Sequence, residues 1–125
     1  MFSSIDSLSI TPSGCQIEER WAGRTAVLSV SGALDMVTHV ELDRAIADVL
    51  AEGPEALVVD ITGVSFLGSH GMNALVAAHF RAGSDIPFRV VANGPVTARP
   101  LTLTGIDEII SVRPTLRGAM IGLAA

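Results

Sequence analysis

Polar and apolar residues alternate from Cys15 to Arg20, with Cys15 and Ile17 on one face and Gln16 and Glu18 on the other. Alternation resumes over Thr25–Ser31, where Ala26, Leu28 and Val30 share a face. A period of two marks a half-buried strand, and Trp21-Ala22-Gly23-Arg24 between the runs reads as a turn, so a β-hairpin is predicted. Gly32-Ala33-Leu34-Asp35 breaks the pattern. Thr38-His39-Val40-Glu41 has capping-box spacing, and Leu42, Ala45, Ile46, Val49 and Leu50 follow at helical intervals, predicting a helix over 39–51 that Gly53-Pro54 stops. Ala56–Ile61 is a short apolar run, the mark of a central strand covered on both faces. Thr62–Gly68 reads as a loop. Leu75, Val76, His79 and Phe80 then recur at helical spacing, predicting a second helix over 70–82 that Gly83 stops.

Phe88–Ala92 reads as a strand, closed by an Asn93-Gly94 turn. Val96–Thr104 reads as a third helix ended by Gly105. Pro100 conflicts with it, since a mid-helix proline removes a hydrogen bond; the helix either starts near Pro100 or bends there. Glu108–Val112 reads as a last strand. Pro114 suits the first turn of a final helix that carries Leu116, Ala119, Met120 and Leu123 on one face. Strands alternating with helices after an opening hairpin predict an α/β fold with a mixed, largely parallel sheet. Residues 1–14, rich in Ser, Thr, Pro and Gly, read as an N-terminal arm, and 15–125 as one domain.

Composition narrows the function. Hydrophobic residues make up 49% of 125, enough for a core without a disulfide or metal staple. The net charge is −5, and the basic residues are all arginines, scattered and not interleaved with aromatics. That lacks the basic stripe of a nucleic-acid binder. Cys15 is the single cysteine, which excludes an internal disulfide and fits a reduced, cytoplasmic compartment. No signal-peptide pattern opens the chain, and its apolar runs fall well short of the roughly 20 residues of a membrane span. Neither nucleic acid nor membrane is expected as a partner.

Chemistry-bearing residues are few. His39, His70 and His79 have no metal-ligand spacing among themselves or with Cys15, so no metal is expected. The glycine-bearing segment Gly63–Gly71 lacks the lysine of a P-loop and the Gly-x-Gly-x-x-Gly of a dinucleotide site, so no cofactor is expected. Gly68-Ser69-His70-Gly71 superficially suggests a nucleophile elbow, but Ser69 directly follows Gly68, and the chain is short for that fold. Ser69 stands where a helix begins. A serine there is a natural N-cap. It is equally an accessible hydroxyl whose phosphate, at about −1.5 to −2 charges, would be favoured by the helix dipole and repel a docked partner.

Leu57-Val58-Val59-Asp60-Ile61-Thr62-Gly63-Val64-Ser65-Phe66-Leu67-Gly68-Ser69-His70-Gly71-Met72 resembles the central signature of STAS domains. That signature is an apolar strand ending in Asp-Leu-Ser/Thr, a loop with an aromatic, and Asp-Ser-Ser/Thr-Gly-Leu opening a helix. Val30-Ser31-Gly32-Ala33-Leu34-Asp35 is similar to the family's Gly-x-Leu/Ile-Asp. Leu103-Thr104-Gly105-Ile106-Asp107-Glu108 is similar to its Leu-x-Leu-Thr-Gly-Leu-Asp. In order, the three cover nearly the whole chain.

The resemblance implies a STAS-type fold with four helices mainly on one side of the sheet. It also implies a non-enzymatic anti-sigma factor antagonist working by partner switching. Such a protein binds an anti-sigma factor that is itself a serine kinase, frees the sigma factor, and is released when that kinase phosphorylates it. A serine phosphatase restores the binding form. Ser69 matches the phosphoacceptor, Asp35 matches an acidic residue on the partner surface, and Phe66, Leu67, Gly68, His70, Gly71 and Met72 complete that surface. Homodimerisation is left open. Two residues depart from the signature. Gly68 replaces the usual Asp, which weakens kinase recognition or marks a divergent partner. His70 replaces Ser or Thr, and a protonated His70 can pair with a phosphoserine. Asp35 and Asp60 also have plain readings as turn carboxylates. The alternatives are a STAS sensory or scaffold module without phosphoswitching, and a small serine hydrolase using Ser69.

Overall fold

A computed structural model describes residues 14–123. The arm expected at 1–14 therefore lies, apart from Gly14, outside the described residues. The hairpin forms with a tighter turn than expected. β1 (Cys15–Ala22) and β2 (Thr25–Leu34) pair antiparallel up to Ala22 opposite Thr25, so only Gly23 and Arg24 lie between them. Trp21 belongs to the strand rather than the turn.

The remaining elements alternate: α1 (His39–Ala51), β3 (Ala56–Leu67), α2 (Ser69–Ala82), β4 (Phe88–Val91), α3 (Gly94–Leu103), β5 (Ser111–Arg113) and α4 (Leu116–Met120). The five strands lie in sequence order β1-β2-β3-β4-β5, and β2 through β5 pair parallel. Alternate strand residues separate two cores. Ala26, Leu28, Val30, Leu57, Val59, Ile61 and Val90 face α1, α2 and α3, which supply Leu42, Ile46, Val49, Leu75, Ala78 and Leu101. Val27, Val58 and Val91 face the other way and meet Ala119 of α4, flanked by Leu116, Met120 and Leu123. Three helices therefore cover one face and a short fourth covers part of the other, the expected STAS-type arrangement. Leu57, Val58, Val59 and Ile61 are fully buried, each worth about 1.5–3 kcal/mol relative to exposure.

Several boundaries differ from expectation, for local reasons. β2 runs on through Gly32 to Leu34, and β3 runs through the expected loop to Leu67. The pairing slips between Ser29 and Ser31 and again between Gly32 and Ala33, so β3 carries an extra residue at each slip. Bulges of this kind erase the period-two signal that would reveal a strand. At Gly32 the backbone adopts φ +88°, and an added Cβ would fall 1.7 Å from the Gly14 carbonyl oxygen. α3 begins earlier than expected, with Pro95 in its first turn, and runs through Pro100. A 3₁₀ turn occupies Ile106–Glu108, and the last strand starts only at Ser111. Pro114 precedes the N-cap of α4 rather than lying in its first turn; Thr115 is that cap, accepting from the Gly118 N–H at 3.0 Å. Arg89 of β4 ties α4 to the sheet by donating to the carbonyls of Ala119 and Ile121.

Candidate functional site

Parallel strands β2 and β3 end side by side, with Leu34 opposite Leu67. Each chain then turns straight into a helix on the same face, so the N-termini of α1 and α2 are neighbours. The Gly68 N–H donates to the Leu34 carbonyl at 2.9 Å and locks the two turns together. Gly71 makes the close approach possible. A Cβ there would lie 2.8 Å from Leu34 Cβ and 3.0 Å from its carbonyl oxygen.

Asp35 organises the first turn. Its Oδ1 accepts from the N–H groups of Val37 and Thr38, both at 2.9 Å. Those bonds, Thr38 first and Val37 second, hold its carboxyl below the usual aspartate range. Thr38 is buried; its hydroxyl donates to the Ala33 carbonyl at 2.7 Å and accepts from the Asp35 N–H at 3.0 Å. The expected capping box is therefore not formed. Thr38 has helical backbone angles and no side-chain cap bond into α1, because its hydroxyl is committed to the strand end instead. The turn thrusts Met36 and Val37 into solvent, 69% and 66% exposed.

The second turn presents Ser69. Gly68, with extended backbone, is the N-cap of α2, so Ser69 is the first helical residue and not the cap. Its side chain is exposed and takes no hydrogen-bond partner among the described residues. The Phe66 ring is 55% exposed and leans over Gly68, where a Cβ would come within 2.9 Å of Cε2. The ring thus fills the space that a side chain at position 68 would take. Met72 is half-buried, and its sulfur lies 3.9 Å from the Thr104 hydroxyl. Leu67 and Gly71, expected on the surface, are buried and support it from below. Asp60 sits within β3 away from this edge; its Oδ1 accepts from the N–H and hydroxyl of Thr62 at 2.9 and 2.7 Å, bonds inside the strand rather than to a turn, because the loop expected after Ile61 is part of β3.

Two features escaped the sequence. Met36 and Val37 on the Asp35 turn, Val40 in the first turn of α1 and Phe66 beside Gly68 are exposed apolar residues at the starts of the two helices. The signal was present: Val40 falls off the helical register of Leu42, Ile46 and Val49, and an apolar pair between Asp35 and Thr38 has no core to face. The histidines are also not all dispersed. His39 and His70 meet across the two helix starts with ring centroids 5.2 Å apart, while His79 packs against Phe80. Among the described residues, no group of three or more His, Cys, Asp or Glu could hold a metal ion, and no helix is long and apolar enough to cross a membrane.

The STAS domain family model matches residues 16–119. The chain is 43% identical over 98 residues to the anti-sigma-F factor antagonist RsfB of Mycobacterium tuberculosis, covering 78% of this chain and 80% of that protein. It superposes on the crystal structure of an anti-sigma factor antagonist from Mycobacterium paratuberculosis with a TM-score of 0.84 and 42% identity, covering 88% and 94% of the two chains. The anti-sigma factor antagonist SpoIIAA in its unphosphorylated form shares the fold at 16% identity, with a TM-score of 0.67 over 84% of this chain and 93% of that one. Sheet order, strand-end geometry and a family match of this extent agree: the chain belongs to the STAS domain family.

Proposed function

We propose that this protein is an anti-sigma factor antagonist that acts by binding rather than by turnover, with Ser69 as the phosphorylated residue that ends binding. The observation that carries the reading is the setting of Ser69: an exposed, unengaged hydroxyl at the start of α2, beside the start of α1, with Met36, Val37, Val40 and Phe66 exposed on the same two turns. Exposed apolar groups of this kind suit a protein partner. A phosphate on Ser69 would oppose docking by charge and by the cost of desolvation. The relatives named as antagonists at 42–43% identity support the same reading.

In this reading the partner is an anti-sigma factor with serine kinase activity, and a serine phosphatase resets the switch in the cytoplasm. Asp35 contributes by shaping the Met36–Val37 turn, while Phe66, Gly68, Ser69, His70 and Met72 make the contact face. Gly68 favours a second reading, because the motif's carboxylate beside the acceptor is missing. In that reading the protein binds as a STAS scaffold module without phosphoswitching.

Capture from native cell extract with wild-type, Ser69→Ala and Ser69→Glu proteins decides between them, with mass spectrometry of both prey and Ser69. Partner switching requires that wild type and Ser69→Ala retain an ATPase-type anti-sigma factor and Ser69→Glu lose it. Equal capture by all three, with Ser69 never modified, selects the scaffold. Turnover of a generic ester that disappears in Ser69→Ala would instead make it a hydrolase.

A further inference from the structure

His39 and His70 come from different helices, yet their rings lie 5.2 Å apart with planes tilted by 36°. His39 Nδ1 is 3.4 Å from Asp43 Oδ2 one turn further along α1, which leaves its Nε2 for another partner. His70 is exposed and directly follows Ser69. Both imidazoles sit in first helical turns, at the positive ends of the two helix dipoles. Asp43 is the carboxylate beside His39. Of the other charged groups nearby, Asp35 has its Oδ1 committed to backbone N–H groups, and Glu41 lies in the first turn of α1. α2 carries no acidic residue in its first turn. From β1, the buried thiol of Cys15 is held protonated by burial first, then by Glu41 and Asp35. A dianionic group placed on Ser69 would face this pair at two positive helix ends.

Resting on the reading of Ser69 as phosphoacceptor, we infer that His39 and His70 form an imidazole pair that cradles the phosphate, so that phosphorylation and proton uptake at this site are linked. The phosphate bridges the starts of α1 and α2 and draws a proton onto the pair. Linkage is reciprocal, so acidification favours the phosphorylated state over the unphosphorylated one. The released form of the antagonist is thereby biased by pH through residues that depart from, or lie outside, the usual signature.

The test uses the full chain with phosphoserine installed at position 69 by genetically encoded incorporation, so no kinase is needed. The phosphorus-31 shift is followed from roughly pH 5 to 8, the range in which imidazoles titrate. The second ionisation of phosphoserine, ordinarily near about 6, is expected to fall by roughly half a unit or more beside the charged pair. His39→Gln and His70→Gln should each move it back, and the double variant should restore the ordinary value. A second readout needs no substitution. Phosphorylation should change the pH response of the His39 and His70 ring protons and leave that of His79 alone. A phosphoserine midpoint unmoved in the double variant overturns the cradle, as does a response to His70→Gln with His39→Gln silent. Either result leaves the antagonist reading intact. Failure to capture an anti-sigma factor would defeat that reading without touching the phosphate titration.

Discussion

Gly71→Ala should destabilise this protein, although alanine is the better helix former. Gly71 lies inside α2, where replacing glycine by alanine ordinarily gains about 0.8–1 kcal/mol. Here the new Cβ would meet Leu34 Cβ at 2.8 Å, the Leu34 carbonyl oxygen at 3.0 Å and Leu67 Cδ1 at 3.1 Å. Favourable carbon–carbon separations begin near about 3.5 Å. The neighbours cannot easily yield. Leu34 is fully buried, and its carbonyl holds the Gly68 N–H at 2.9 Å. Overpacking of this kind costs about 1–3 kcal/mol, and a backbone atom in the clash argues for the upper end. The net loss is therefore about 1–2 kcal/mol, which should lower the urea midpoint by roughly 0.5–1 M at an ordinary m-value. Because the same clash separates the Asp35 turn from the start of α2, partner affinity should fall as well. Equilibrium urea unfolding with far-UV circular dichroism measures the stability term. A midpoint equal to or above wild type would refute the claim that Gly71 exists to let α2 approach the end of β2.

Other consequences of the same geometry can be measured separately. Gly68→Asp restores the family's usual residue at an N-cap with extended backbone and should add a few tenths to about 1 kcal/mol; because its Cβ displaces the Phe66 ring, partner affinity should change even as the thermal midpoint rises, and an unchanged affinity would count against a role for that ring. Thr38→Val keeps the shape of a buried side chain but removes a donor to Ala33 and an acceptor for Asp35, so it should cost about 1–3 kcal/mol; a loss under about 0.5 kcal/mol would show that these bonds are readily replaced. Asp35 has its ionisation favoured in the folded state by the Thr38 and Val37 N–H groups, so its contribution is present above the ordinary aspartate value of about 3.9 and lost as pH falls below it. Wild type should therefore exceed Asp35→Asn in thermal midpoint at neutral pH and converge with it in acid, whereas a constant gap would place the effect elsewhere.

The elements with unbroken periods were the legible part of this fold. The hairpin, the helix over 39–51 and the central strand Ala56–Ile61 each announced themselves through buried positions at regular spacing. Legibility failed where regularity does. Beyond Ile61, β3 bulges twice against β2, so Thr62–Leu67 loses alternation while remaining in the sheet. Thr38 and Glu41 have the letters of a capping box, but the Thr38 hydroxyl is drawn to Ala33 and Asp35 by a strand end that only the tertiary fold supplies. Pro100 suggested a break, yet α3 contains it. Ser69 was legible as a residue at a helix start. Its neighbours across the seam, Met36, Val37 and His39, were not, because their proximity depends on which strand lies beside which.

That dependence also explains why the site lies at this edge of the sheet. β2 and β3 end at the same level, Leu34 opposite Leu67, and the helices that follow them pack on the same face of the sheet, so two helix starts come together there. The seam between them is stabilised by backbone bonds and by a glycine without a side chain, Gly68 to Leu34 and Gly71 against Leu34. The exposed side chains are consequently released from any structural duty. Met36, Val37, Phe66, Ser69 and His70 are all exposed, and for none of them does the fold itself demand the residue present. On the proposed function, substitution there should alter partner choice and the response to phosphate, while substitution at Leu34, Thr38, Leu67 or Gly71 should alter whether there is a surface at all. The division is physical. The lower layer is held by close packing and buried hydrogen bonds, which tolerate little change; the upper layer meets solvent. On the proposed function, positions 68 and 70 belong to partner recognition and Ser69 to the switch, and all three sit in the upper layer, where the fold leaves room for either role.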